Sequence, residues 1–112
     1  METNHVNVVF LCGTLARDSE ARVLPSGSAV ANYELTTRVG GVSTTVPVVC
    51  PDGPTLPAGV DVVVCGQIKR RFFRSGGTTQ SRTEVAADTV TRASSRKRVD
   101  RALQTARSAL GA

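Results

Sequence analysis

Five apolar or alternating runs divide the chain, and turn signals separate them. They span Val6–Leu15, Ala29–Arg38, Ser43–Cys50, Val60–Phe73 and Gln80–Val90. Valine and threonine dominate all five, as half-buried strands require. The breaks fall at Pro25-Ser26-Gly27, at Gly40-Gly41, across Pro51–Gly59 and at Gly76-Gly77. The prolines of Pro51–Gly59 exclude a regular helix there. Strand spacing this even predicts an all-β domain over residues 1–92, a small barrel or sandwich. Pro47 interrupts the third run. A proline offers no ladder donor, so that strand is expected to be an edge, short or bulged there.

Alternation sorts the faces of each strand. In the second run Ala29, Ala31, Tyr33 and Leu35 share one face, and Asn32, Glu34, Thr36 and Arg38 share the other. In the fourth run Val62, Val64, Ile68 and Phe72 fall together, opposite Gln67, Lys69, Arg71 and Phe73. Phe72 is thus expected in the core and Phe73 outside among cations. A bulge between Gly66 and Phe72 would reverse that assignment. Phe10 and Tyr33 read as structural residues, like Phe72.

Residues 93–112 follow a different period. Ser94 or Ser95 can cap a helix. No Gly or Pro occurs from Arg96 to Leu110, and Val99, Leu103, Ala106 and Leu110 recur at helical spacing. About 15 helical residues are marginal alone, so this apolar stripe is expected to dock on the barrel or on a second subunit. Its basic face has three open readings: a clamp on nucleic acid, a solvated surface, or partial disorder.

With 112 residues the chain makes one modest core. Its formal charge of +5 favours polyanionic partners. No apolar run approaches the roughly 20 residues of a spanning helix, and Met1–His5 lacks the pattern of a signal peptide. Neither a membrane nor a small-molecule substrate is expected. Cys12, Cys50 and Cys65 show no metal-binding spacing and lie in strand-like runs. They read as buried free thiols of a cytoplasmic protein. No metal, no cofactor and no enzymatic activity is expected. His5 is the single histidine, and no nucleophile, paired carboxylates or phosphate-binding glycine loop appears.

The stretch Lys69-Arg70-Arg71-Phe72-Phe73-Arg74 carries the main chemical signal. Cations neutralise phosphates, and an aromatic ring gives a base a surface to stack on. Four cations and two aromatics at a hairpin mouth point to single-stranded nucleic acid. Arg38, at the end of the second strand, is a further candidate phosphate contact. Arg17 and Arg22 flank Asp18 and Glu20, so local ion pairs compete with any such role there.

The N-terminal third carries a specific pattern: Asn7-Val8-Val9-Phe10-Leu11-Cys12-Gly13-Thr14-Leu15, then Asp18, Glu20 and Arg22, then Pro25-Ser26-Gly27, then Ala29-Val30-Ala31-Asn32-Tyr33. This resembles the bacterial single-stranded DNA-binding protein family. Gly59–Phe73 and Arg82-Thr83-Glu84-Val85 are similar to that family's fourth and fifth strands. The resemblance implies an OB-fold, a five-stranded Greek-key barrel, here followed by a C-terminal α-helix. It also implies sequence-tolerant binding of single-stranded DNA in replication, repair or recombination, and self-association as a homodimer or homotetramer. The usual subunit contact uses the first strand, where Val8, Phe10 and Cys12 offer a second apolar face.

The departures are specific. Phe73 stands where the family has a stacking tryptophan. Thr45 and Pro51 stand near two further ring positions, and the loop between the second and third strands is short. The family's helix between the third and fourth strands has no counterpart, and a basic helix pattern replaces its acidic tail. Each lost ring removes about 1–3 kcal/mol of stacking, so binding is expected to be weaker and more salt-sensitive than is usual there. The expected contacts are Arg38, Lys69, Arg70, Arg71, Phe73, Arg74 and Arg82, with Arg96, Lys97, Arg98 and Arg101 as additional ones. By alternation Arg70 points inward unless the barrel has already opened. The alternative is a divergent paralogue acting mainly through protein–protein contact.

Overall fold

A computed structural model describes residues 4–108 and Leu110. The outermost positions of the two expected units, 1–92 and 93–112, and Met1–Thr3 of the stretch read for a signal peptide, lie outside the described residues. The elements are β1 (Val9–Leu15), β2 (Glu20–Val23), β3 (Ala29–Val39), β4 (Val42–Pro51), β5 (Asp61–Ser75), β6 (Thr78–Arg92) and α1 (Arg96–Ser108). Five strands close a barrel in the order β1–β3–β4–β6–β5 and back to β1. All pairs are antiparallel except β4 with β6. The protein is therefore mostly β, a five-stranded barrel with one C-terminal helix and the architecture of an OB-fold.

The barrel interior follows the alternation. Leu15, Tyr33, Leu35, Val48, Val62, Val64, Val85 and Val90 meet in one cluster. Burying each such side chain contributes about 1.5–3 kcal/mol. The connection Pro51–Gly59 forms no helix, as its prolines dictate. Its Leu56 is buried against the same cluster. Ser19 holds it there: its N–H donates to the Leu56 carbonyl (2.9 Å) and its Oγ accepts from the Leu56 N–H (2.9 Å). The Tyr33 hydroxyl donates to the Pro54 carbonyl (2.6 Å) from inside the barrel.

Two sequence expectations need correction and a third holds locally. The segment Glu20–Val23 is a strand along β3, with all four residues exposed. It shows no apolar alternation because neither face is covered. Next, β4 is not an edge along its whole length, but it is one at Pro47 as expected: pairing with β6 begins only at Val48–Val85, one residue later. Finally, Cys50 and Cys65 are buried but Cys12 is exposed, because it points outward from β1 beyond the cover of α1.

Helix α1 begins at Ser95, whose Oγ accepts from the Arg98 N–H (3.2 Å). It packs on the outer face of β1 and β5. Ala106, Val99 and Ala102 meet Val63, Cys65, Val8 and Phe10. The docking stripe is thus Val99–Ala102–Ala106, while Leu103 and Leu110 are exposed. Small Ala102 lets the helix approach closely, and the Cys65 thiol donates to its carbonyl (3.7 Å). Of the Val8, Phe10 and Cys12 face expected for a subunit contact, Val8 and Phe10 are half-buried against α1 and Cys12 stays exposed.

Candidate nucleic-acid interface

The long hairpin β5–β6 positions the site. β1 pairs with β5 only as far as Val9–Gly66, and β4 meets β6 only at Val85 and Ala86. Beyond those rows the hairpin has no neighbouring strand. Asn7 finishes the β5 edge in place of a strand: its Nδ2 donates to the Ile68 carbonyl (2.8 Å) and its Oδ1 accepts from the Ile68 N–H (2.9 Å). A bulge marks the exit from the barrel. Cys65 opposes Thr89, but Gly66 opposes Ala87, leaving Asp88 as the extra residue. At Gly66 a Cβ would collide with the Ala86 carbonyl, so the strands pass there at glycine distance. Bulges increase local twist and bend the strand. The tip is the two-residue turn Gly76-Gly77, both at positive φ (59° and 81°), as the tight hairpin turn requires.

The bulge lies at Cys65/Gly66, before the stretch in which it would have inverted the faces. Lys69, Arg71 and Phe73 therefore share the outer face, opposite Glu84, Arg82 and Gln80 on β6. Ile68, Arg70, Phe72 and Arg74 share the other. The expected opposition of Phe72 and Phe73 is present, but Phe72 is not in the core: it is 67% exposed. The hairpin has left the barrel by then, so nothing faces its inner side. Arg70 is exposed for the same reason. Phe73 is the more covered ring, at 36% exposure.

Glu84 organises the outer face. It is only 7% exposed, and its Oε1 lies 3.4 Å from Arg71 Nε and 3.9 Å from Arg82 Nε. Both arginines keep 43% of their side-chain surface exposed. That oxygen has no hydrogen-bond partner, so two guanidinium charges supply its compensation. One acid against two cations leaves a net positive charge. The Arg71 guanidinium also lies over the Phe73 ring, 5.6 Å from its centroid, a cation–π distance. Glu84, Arg82, Arg71 and Phe73 thus form one connected set.

Other expected contacts fall elsewhere. Arg74 Nη2 donates to the Gly77 carbonyl (2.8 Å) and closes its own turn. Arg38 is exposed on the outer face of β3, with its Nε donating to Ser43 Oγ (3.1 Å). Thr36 and Thr45, two rows further in on the same face, hydrogen-bond at 2.8 Å. Arg38 therefore belongs to the second hairpin, β3–β4, not to the Arg71 set. On α1, Arg96 pairs with Asp100 (3.8 Å), Lys97 is exposed, and Arg98 and Arg101 line a groove against β6. Asp18 accepts from the Ala58 N–H (2.8 Å), a loop anchor in place of the expected local ion pair. The sequence reading missed Glu84 as an organiser and Asn7 as an edge clamp. A lone acid at an outward position among five cations between residues 67 and 84 was the available signal for Glu84.

Among the described residues no group of three His, Cys, Asp or Glu side chains is placed to hold a metal. No helix there is long and apolar enough to cross a membrane. Burial pushes the Cys50 and Cys65 thiols up in pKa, which keeps them protonated and poor as nucleophiles. No protein-family model matches the chain, and no curated protein matches it.

Proposed function

We propose that this chain is a non-catalytic, sequence-tolerant single-stranded DNA-binding protein of the cytoplasm. It would act in replication, repair or recombination, with the outer face of the β5–β6 hairpin as its binding surface. One observation carries the reading: Lys69, Arg71 and Arg82 share the outer face of the projecting hairpin with a partly exposed Phe73 ring, which Arg71 covers, against the single acid Glu84. The cations hold phosphates and the ring stacks one base. Stacking and phosphate contact read no base edge, so little sequence preference follows. Arg38 on the neighbouring hairpin extends the basic surface.

Anisotropy titration with labelled oligo-dT, single-stranded and duplex, at two salt concentrations, tests this. Phe73→Ala should weaken binding by about 1–3 kcal/mol, similarly for all sequences. Arg71→Ala should reduce the slope of log K against log salt by about 0.7–1. Equal affinity for duplex and single strand would reduce the reading to general polyanion binding.

Self-association as a homodimer or homotetramer belongs to the same reading. Since α1 covers Val8 and Phe10, the exposed apolar residues left for it include Ile68, Phe72, Val39 and Val42. Sedimentation of the full chain checks this. Ile68 and Phe72 also favour a second reading, a protein-contact module, which absence of oligo-dT binding would select.

A further inference from the structure

A second basic feature lies at the barrel end of the same outer face. The groove between α1 and β6 has a volume of about 390 Å³ and is lined by Thr89, Thr91, Arg98, Arg101, Ala102 and Thr105. That volume is at the small end of ligand pockets, about 300–1,000 Å³. Arg98, Arg101 and Thr105 recur at helical spacing and share one face of α1. Thr89 and Thr91 alternate along β6 and share its outer face, opposite Cys65 and Val63. Thr105 donates its hydroxyl to the Arg101 carbonyl (3.2 Å). Thr89 lies against the Cys65 thiol as its side-chain hydrogen-bond partner, so the polar groups left to a ligand are two guanidinium groups and the Thr91 hydroxyl.

Charge compensation separates this groove from the rest of the helix. Among the described residues neither Arg98 nor Arg101 pairs with an acid, whereas Arg96 is matched by Asp100. Ala102 and the threonines give the groove a small-residue floor beneath two uncompensated cations. The groove also lies in line with the hairpin surface. From the Cys65–Thr89 row to Phe73 the distance along β5 is about 27 Å at the rise of a strand. A strand that occupies about 4–16 nucleotides of an OB-fold spans that length.

We infer that the groove between α1 and β6 takes one nucleotide of a bound single strand, with its phosphate held between Arg98 and Arg101. The site rests on the reading of the hairpin as the main binding surface and adds a second anchor to it. A long strand engages both anchors and a short one engages only the hairpin.

The test compares labelled dT3, too short to reach both anchors, and dT20 with the full-length protein. Arg98→Ala/Arg101→Ala should leave dT3 affinity unchanged and weaken dT20 roughly tenfold. Its salt slope on dT20 should fall by about 0.7 for the one phosphate that the two guanidinium groups hold. Arg98→Lys/Arg101→Lys, which keeps the charge, should retain most dT20 affinity. Arg92→Ala/Arg107→Ala removes the same charge from exposed positions outside the groove and should leave dT20 affinity within about twofold. Equal losses in the two alanine pairs, or none in the first, would overturn the groove while the hairpin reading stands. Loss of dT20 binding in the first pair with none in Arg71→Ala would overturn the hairpin reading and keep the groove. Wild-type protein that binds neither oligonucleotide would end both.

Discussion

Arg71 takes part in three interactions that compete for one guanidinium. It compensates Glu84 at 3.4 Å, covers one side of Phe73 and keeps 43% of its side chain in water. A carboxylate as buried as Glu84 costs stability unless its partners stay in place. Arg71 and Arg82 are therefore held in position before any strand arrives, which lowers the entropy lost on binding. Glu84→Gln removes that restraint. We expect a stability loss of about 1–3 kcal/mol in urea unfolding, since two half-exposed arginines lose a shared anchor. The same variant raises the net charge by one, so its oligo-dT salt slope should steepen. Tyr33 gives a residue-scale test of the core. Burial, with a smaller contribution from Cys50, pushes its hydroxyl up to about 12 in pKa. The folded state favours the protonated form, so this stability is fully present below about pH 10 and lost as pH rises toward 12. Tyr33→Phe should lose about 1 kcal/mol at neutral pH with the Pro54 hydrogen bond, and its alkaline decline should be shallower.

The hairpin β5–β6 separates what alternation can tell from what it cannot. Side chains alternate whatever lies beside the strand, so the opposition of Phe72 and Phe73 was readable from residue order. Exposure is a different quantity, because it depends on how far β1 and β4 accompany the hairpin. β1 accompanies β5 only from Val9 and β4 pairs with β6 only from Val48, and no local signal in β5 marks where. Phe72 was therefore misread as core. A core phenylalanine costs about 3–5 kcal/mol on truncation. Phe72→Ala should instead change unfolding stability by less than about 0.5 kcal/mol, as at other exposed positions. Gly66→Ala should be the costly change in this element, since the added carbon meets the Ala86 carbonyl at the bulge. β2 was unreadable for a related reason: Glu20–Val23 buries neither face, so no period forms. In α1 the helical repeat was plain, but Ala102 was overlooked and Leu103 overvalued. Close packing against Cys65 favours the smaller residue, and hydrophobicity alone ranks them the other way.

At the scale of the molecule, the radius of gyration is 15.0 Å, against about 13 Å for a compact chain of this length. The excess fits a barrel with hairpins standing clear of it and a helix laid on its outside. α1 is lightly held, docking mainly on β1 and β5 through Val99, Ala102 and Ala106. It also closes the apolar face of Val8, Phe10, Val63 and Cys65, so undocking would expose that face for a second copy. The thiols report on this directly. Cys12 is exposed, although partial desolvation pushes its pKa up. A thiol-specific reagent should label it slowly at neutral pH and faster as pH rises, because the thiolate is the reactive form. Cys65 lies beneath α1, and Cys50 lies inside the barrel. Ala106→Asp places a charge against Val63 and should undock the helix without opening the barrel. In that variant Cys65 should label before global unfolding while Cys50 stays protected, and sedimentation should show more association than for the parent chain. Labelling of Cys50 together with Cys65 would mean that barrel and helix unfold as one unit, and that α1 is part of the fold's single cooperative core.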